Sequence, residues 1–323
     1  MTIPPYRLPA LMLALATSTC PAQEIDQDAL TEARRTLQGG LDADALGAAY
    51  GAMVSVTTAP EMSAATYRIR DNSASQPTMR LYKLPLSWPV GRQDRDWLPY
   101  AHASLGLLEY GSRVELVGED VLARWTAYGG ELGLGVRRPA GHWTWVAQGG
   151  LGVVRIESRA RYQGIVGQTL LAPLLKGLVF DWRAEATKLS VALGADYLRA
   201  FDPWRLEART RLSSARVDTF SSSSEFIDFD VTATVLTVRS DAIRPVTIRV
   251  AGRPTRLRLS LGATSHLGKN ADALGFDRFI EAGGGLELDI SGDSSVVDSI
   301  TLGALAIYGP DVVGWSLYGR LGF

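Results

Sequence analysis

The chain has 323 residues, of which 46% are hydrophobic and 21% are charged, and its formal net charge is -1. This length is sufficient for two ordinary soluble domains or for one large barrel. The near-neutral charge excludes a general electrostatic attraction to nucleic acid, so we expect no nucleic-acid partner.

The first residues, MTIPPYRLPALMLALATSTCPAQ, have the layout of a secretory signal. Arg7 precedes the apolar run 8–16, and small residues follow, which predicts a cleaved signal peptide over residues 1–22 and export of the rest. The apolar run is too short for a membrane-spanning helix. Cys20, the only cysteine, lies in this segment; its lipidation is the alternative, although the expected leucine three positions earlier is missing.

Residues 23–60 form a second kind of segment, with a helical rather than an alternating pattern. Asp26 is a candidate N-cap, and Leu30, Ala33 and Leu37 fall on one stripe of the helix that follows. We predict a short helical plug or linker segment here, lying in the lumen of the domain described next.

From residue 61 to residue 323 the hydrophobic pattern has a period of two, which is typical of strands with one apolar face. The apolar rows have the length that a tilted strand needs to cross a bilayer. The pattern therefore predicts an all-β fold, a transmembrane antiparallel up-and-down barrel of about twelve strands, with residues 241–250 left unassigned. The predicted strands cover residues 64–72, 77–88, 98–117, 121–138, 142–160, 178–200, 204–218, 226–240, 255–267, 275–290, 296–309 and 313–323.

The connections between the predicted strands alternate between tight turns and longer loops. AGRP at 251–254 is one of the tight turns, and the longest loop is QGIVGQTLLAPLLKG at 163–177. Outer-membrane barrels have this asymmetry, with the short turns on the periplasmic side and aromatic girdles at both interfaces. The aromatic residues expected at the short-turn interface are Trp88, Trp97, Trp143, Trp145, Trp204 and Phe323. The alternative fold for the same alternating pattern is a soluble β-sandwich.

If the apolar rows face lipid, the opposite rows line a lumen, where their charges must be paired or hydrated. The antiparallel order should bring Arg256 and Arg258 beside Glu287 and Asp289. We interpret this charge ladder as the filled interior of a stable barrel; a weakly selective polar pore is the alternative. The ladder comprises Arg68, Arg70, Lys188, Asp196, Arg205, Glu207, Arg209, Arg211, Arg256, Arg258, Glu287, Asp289 and Arg320.

Residues suited to catalysis are scarce. The three histidines, His102, His142 and His266, fall at different heights of the predicted barrel, and no HExxH or CxxC spacing occurs. We therefore expect no metal, no cofactor and no catalytic residues. Two alternatives remain: a surface hydrolase that uses His266, and a binding or adhesion module that uses loop 163–177. The apolar LLAPLL stretch of that loop is either an inward-folded constriction or a patch that contacts a partner.

Taken together, the signal sequence, the short helical segment and the amphipathic strands resemble the translocator barrel of autotransporters. The terminal pattern of Trp315, Leu317, Leu321 and Phe323 is similar to the signal that the barrel-assembly machinery recognises. The resemblance implies the cell outer membrane as location, and outer-membrane lipid and the assembly machinery as partners. It also implies a final strand that closes the barrel against the first. Because only a short segment precedes the barrel, we expect a solitary barrel without a passenger, in a structural or passive-pore role without catalysis.

Overall fold

The computed structural model describes residues 27–40, 47, 49, 51, 53, 63–70, 77–91, 96–116, 118–268, 274–291 and 298–322. The predicted signal peptide with Cys20, and the terminal Phe323, lie outside the described residues. Within these ranges, no helix has both the length and the apolar character needed to cross a membrane.

Across the described ranges, twelve antiparallel strands form a closed barrel in which each strand pairs with its sequence neighbours. The final strand pairs with the first, from Ala64 opposite Leu317 to Ile69 opposite Val312. The predicted twelve-stranded up-and-down barrel is confirmed. The strands are β1 (Ser63–Ile69), β2 (Thr78–Pro89), β3 (Leu98–Leu116), β4 (Glu119–Ala140), β5 (Trp143–Tyr162), β6 (Trp182–Phe201), β7 (Trp204–Ser222), β8 (Asp230–Val250), β9 (Arg253–Leu267), β10 (Arg278–Asp289), β11 (Ser299–Tyr308) and β12 (Val312–Gly322).

The two ends of the barrel differ in their connections. Two-residue turns at 141–142, 202–203 and 251–252 join strands at one end, whereas the 163–181 connection lies at the other. Since short turns face the periplasm in outer-membrane barrels, we refer to the periplasmic and the extracellular end.

The outer wall of the barrel carries exposed leucines. Leu132, Leu151 and Leu189 are opposite one another on β4, β5 and β6, and their exposed fractions are 67%, 68% and 55%. The strand neighbours of Leu132 and Leu189, which are Glu131 and Lys188, are buried inside. A row of exposed leucines is favourable against hydrocarbon and unfavourable against water, which agrees with strands that cross a membrane.

Strand β8 is longer than the sequence predicts. The sequence predicts that it ends at residue 240, but the strand runs from Asp230 to Val250 and includes the unassigned stretch 241–250. Pro245 removes a backbone donor, and a register shift follows between Val246 and Arg249. Such an irregularity lets a strand continue past a proline. The regular part of β8 before the shift includes Asp241, which is buried on the inner wall.

The extracellular half of the lumen is packed with apolar side chains. Six of the buried ones come from residues 163–181, here called the plug loop. The plug loop contains α2 (Gly164–Val166), a π-helical turn (Gly167–Leu171) and α3 (Ala172–Leu175). Leu171, Leu174 and Phe180 are at most 2% exposed. They belong to one buried cluster with inward residues of the wall, including Trp125 on β4 and Ile156 on β5. The plug loop is therefore folded into the barrel.

The described part of the N-terminal segment is in contact with the plug loop and the inner wall. Helix α1 (Gln27–Gly40) packs Leu30 and Ala33 against the buried cluster. Arg34 on this helix donates hydrogen bonds to the carbonyl oxygens of Pro173 (2.6 Å) and Lys176 (3.0 Å).

Further along the same segment, Ala49 and Met53 are helical and fully buried. A Cβ at Gly51 would lie only 1.8 Å from Cγ2 of Val231, so only glycine permits this close approach to β8. The helical segment predicted for the lumen is thus found there, over its described positions.

We expect Leu151→Arg to destabilise the barrel by about 2–4 kcal/mol, because it places a cation on the lipid face near the middle of β5. The free energy of unfolding in urea, measured in lipid vesicles, is the readout. Ile165→Arg is the matched control, since Ile165 is an exposed hydrophobic residue of the plug loop outside the strands. Equal losses in both variants would contradict a lipid-facing Leu151.

Candidate functional site

The periplasmic half of the lumen contains a cluster of charged side chains. Along each strand these residues alternate with exposed residues of the outer wall, so they lie on the inner wall. From the predicted ladder they are Lys188, Asp196, Arg205, Glu207, Arg209, Arg211, Arg256, Arg258, Glu287, Asp289 and Arg320. Most of them, together with Arg239 and Asp241, form one connected set of ion pairs.

Arg258 on β9 is the centre of this set. Its Nη1 donates to Oε2 of Glu207 (3.0 Å) and to Oδ2 of Asp241 (2.9 Å), and its Nη2 donates to Oε2 of Glu287 (2.6 Å). The residue is 2% exposed. Three carboxylates therefore neutralise one buried guanidinium, which is the arrangement that a buried cation requires.

The carboxylates around Arg258 are shared with further arginines. Glu287 also pairs with Arg205 (3.2 Å) and Arg256 (2.8 Å), and Glu207 pairs with Arg320 (2.8 Å). Strands β7 and β12, which carry Glu207 and Arg320, are separated by four strands on one side and six on the other. The Glu207–Arg320 pair therefore joins nearly opposite walls, and these side chains span the lumen.

We call this cluster the charge network. Asp241 accepts further hydrogen bonds from Ser260 (2.6 Å) and Arg239 (3.5 Å), and the Arg239 guanidinium lies 4.7 Å from the ring centre of Tyr318. The arginines of the charge network outnumber its carboxylates, so the network is cationic. Its members are Arg205, Arg209, Arg239, Arg256, Arg258, Arg320, Glu207, Asp241, Glu287 and Asp289.

A second buried ion pair involves Lys188 and a residue that the sequence analysis missed. Lys188 Nζ lies 2.8 Å from Oε2 of Glu131, and Ser190 donates to the other oxygen of Glu131 (2.9 Å). Gly152 on β5 is the register partner of both Glu131 and Lys188. Because glycine has no side chain, the side chains of Glu131 and Lys188 can meet above it. An isolated glutamate in the glycine-rich stretch GGELGLG was the available signal.

These residues line a cavity of ≈ 120 Å³ inside the barrel. Its walls include Glu131, Lys188 and Ser190, and also Phe276 and Phe279, which belong to the apolar cluster of the extracellular half. The space is large enough for a few water molecules.

Two residues of the predicted ladder lie elsewhere. Arg68 and Arg70 are exposed on the outer wall, while their neighbours Tyr67 and Ile69 are buried inside. The Arg70 guanidinium lies 5.1 Å from the ring centre of the outward Tyr308. The prediction was wrong here because the polarity of the wall reverses near the extracellular end, where the lumen is apolar and the lipid-facing rows have ended.

The histidines are not brought together. His102 neighbours Tyr100 on β3, with 6.2 Å between ring centres, and His142 lies in a periplasmic turn near Tyr197. The His266 ring packs edge-on against Phe276, 5.8 Å between centres. In the described part of the chain, no hydrogen bond joins its imidazole to a serine or a carboxylate, and no group of three acidic, histidine or cysteine residues could hold a metal ion.

The terminal strand presents its apolar row outward. Trp315, Leu317 and Leu321 are exposed on the outer wall of β12, next to the closure with β1. Phe323, the last residue of the predicted assembly signal, lies outside the described residues.

A closed barrel of twelve antiparallel strands with helical segments in its lumen is the architecture of autotransporter-type outer-membrane barrels. Residues 68–318 match the family model of the solitary outer membrane autotransporter beta-barrel domain, and the chain belongs to this family. The predicted location in the outer membrane is thereby confirmed. No curated protein sequence matches the chain.

Solved autotransporter barrels have the same fold. The β domain of the Bordetella autotransporter BrkA has 15% identity, with 81% of this chain and 97% of that chain covered and a TM-score of 0.50. The translocator domain of NalP from Neisseria meningitidis has 12% identity, with 90% and 95% covered and a TM-score of 0.53. The transport unit of AIDA-I from Escherichia coli has 9% identity, with 88% and 100% covered and a TM-score of 0.51. At these identities the likeness concerns the fold alone.

We expect Arg258→Ala to cost about 3–5 kcal/mol of unfolding free energy, because it leaves buried carboxylates without their common partner. The control is Arg216→Ala, since Arg216 pairs with Asp230 at 2.5 Å on the exposed outer wall, where removing the pair should change stability little. Urea unfolding in vesicles compares the two variants. Similar effects of both substitutions would show that the charge network adds nothing to barrel stability.

Proposed function

We propose that this protein is a non-catalytic outer-membrane barrel that is closed at rest. It acts as a structural element of the membrane, and as a passive pore only when the contents of its lumen are displaced. One observation carries the proposal: the chain's own residues fill the lumen from both ends, apolar ones in the extracellular half and charged ones in the periplasmic half.

The two fillings act as barriers in series. The plug loop is anchored by buried leucines and by the hydrogen bonds from Arg34 to its carbonyl oxygens. The charge network connects nearly opposite walls through Glu207 and Arg320. A solute must displace both, so loss of one barrier alone should open the barrel only in part.

The inward position of the plug loop favours a constriction over a surface binding or adhesion module. Leu171, Leu174 and Leu175 are buried, whereas Ile165 and Val166 are the exposed hydrophobic residues of the loop. The interior position of His266 and its packing against Phe276 support a structural role for this residue rather than hydrolysis at the surface.

We also propose that Trp315, Leu317, Leu321 and Phe323 form the signal that the barrel-assembly machinery recognises. The outward row on β12, beside the strand that closes the barrel, supports this role.

Single-channel recordings test the closed lumen. Leu174→Asp combined with Leu175→Asp introduces charges into the buried cluster and should loosen the plug loop, giving a small conductance that favours anions because the remaining network is cationic. Ile165→Asp combined with Val166→Asp is the matched control in the same loop and should stay closed. An open, stable conductance in the unmodified protein would contradict the proposal.

The same recordings can also test whether the two barriers act in series. Adding Arg320→Ala to the Leu174→Asp and Leu175→Asp variant removes the pair that spans the lumen. The combined variant should conduct far more than the sum of its parents. Conductances that merely add would indicate independent paths and not one occluded lumen.

The assembly signal is tested by fractionation. Leu317→Ala with Leu321→Ala should lower the amount of folded protein in the outer membrane, because the recognised apolar row is lost. Leu286→Ala with Leu302→Ala removes two exposed leucines from β10 and β11 and is the control. If both double variants accumulate equally, the terminal row has no special part in assembly.

A further inference from the structure

An unusual concentration of arginine lies on the outer wall of β3, β4 and β5 near the extracellular end. Arg124 is directly opposite Arg159, and in the next row Leu122 stands between Arg113 and Arg161. Four of the six outward positions in these two rows are therefore arginine, and the other two are Leu122 and Gly111. We call Arg113, Arg124, Arg159 and Arg161 the arginine patch.

The arginines of the patch make few ion pairs, although acidic residues lie in the rows on both sides. Like charges directly opposite each other destabilise a sheet, and Arg124 with Arg159 is such a pair. Among the described residues, the only ion pair found within the patch joins Arg159 to Glu157 (3.1 Å), and Glu157 is shared with Arg155 (3.2 Å). The outward acids of the adjoining rows are Glu109 and Glu157 toward the membrane, and Glu115 and Asp120 away from it.

The backbone of the patch lies just beyond the lipid headgroups, so that its long side chains can reach them. The apolar band of this wall ends at exposed side chains that include Leu107, Tyr128 and Val153. Arg124 lies four residues before Tyr128 on β4, toward the extracellular end. This separation is about 13 Å along the strand and about 9 Å along the membrane normal for a strand tilted by about 45°. The headgroup region is about 5–8 Å thick on each side of the bilayer, within reach of an arginine side chain.

We propose that the arginine patch binds the phosphate groups of an anionic lipid of the outer leaflet. The planar guanidinium binds phosphate in a bidentate manner, and a phosphate between Arg124 and Arg159 would turn their repulsion into attraction. A lipid fits better than a soluble anion, because the exposed apolar band, which begins two rows below Arg124, receives its acyl chains. The inference rests on the outer-membrane location and does not depend on a closed lumen.

The test uses the full-length barrel in a neutral detergent, with titration of lipid A that carries two phosphates. The variant Arg124→Gln with Arg159→Gln and Arg161→Gln should bind at least about tenfold more weakly than the unmodified protein. The control is Arg183→Gln with Arg216→Gln and Arg278→Gln, which removes three exposed arginines scattered over β6, β7 and β10. It should bind within about twofold of the unmodified protein.

Two further binding measurements identify the source of the phosphate. Dephosphorylated lipid A should bind the unmodified protein and the patch variant equally, and inorganic phosphate at matched concentration should not displace the phosphorylated lipid. The variant Arg124→Lys with Arg159→Lys and Arg161→Lys keeps the charge and should retain most of the binding. Unchanged heat-modifiable migration of this variant would show that it is folded. Equal binding of phosphorylated lipid by unmodified and glutamine variants would overturn the proposal, as would full displacement by inorganic phosphate.

Discussion

Hydrocarbon offers no hydrogen-bond partners, so the backbone N–H and C=O groups of a crossing segment must be satisfied within the protein. In this chain the requirement is met by the pairing of β1 with β12, which closes the sheet. Closure then fixes the direction of every side chain, because strands alternate between the two walls. The leucine rows meet lipid, the charged rows meet each other across the lumen, and the aromatic and arginine residues take the positions at the interfaces.

A closed sheet of this size encloses a space that must be filled by side chains, water or additional segments. Here the filling is divided by chemistry. The plug loop and the N-terminal segment bury apolar side chains such as Leu171 and Met53 in the extracellular half, and arginine–carboxylate pairs around Arg258 occupy the periplasmic half. Burial of apolar surface stabilises the first half, whereas in the second half the ion pairs offset the cost of removing charges from water.

Periodicity predicted the strands well where both rows are regular, as on β5, which was expected over 142–160 and runs from Trp143 to Tyr162. It could not extend β8 past Pro245, because a bulge is a property of the strand pair and not of one strand. Asp241 was therefore missed, although it contacts Arg258. Arg68 and Arg70 were placed inside because charge alone does not tell a polar lumen from a wall above the bilayer. Whether LLAPLL turns inward depends on the cavity that the opposite strands leave, which no local pattern encodes.

The central claim, lipid outside and a filled lumen inside, is tested most directly by spin labels placed one at a time at residues 147–154 of β5. Collision with oxygen, which dissolves in lipid, should oscillate with a period of two and peak at 147, 149, 151 and 153, whereas collision with a water-soluble nickel chelate should stay low at every position. Nickel maxima at 148, 150, 152 and 154 would reveal a water-filled lumen. Nickel maxima at the odd positions would mean that water, and not hydrocarbon, covers the leucine rows.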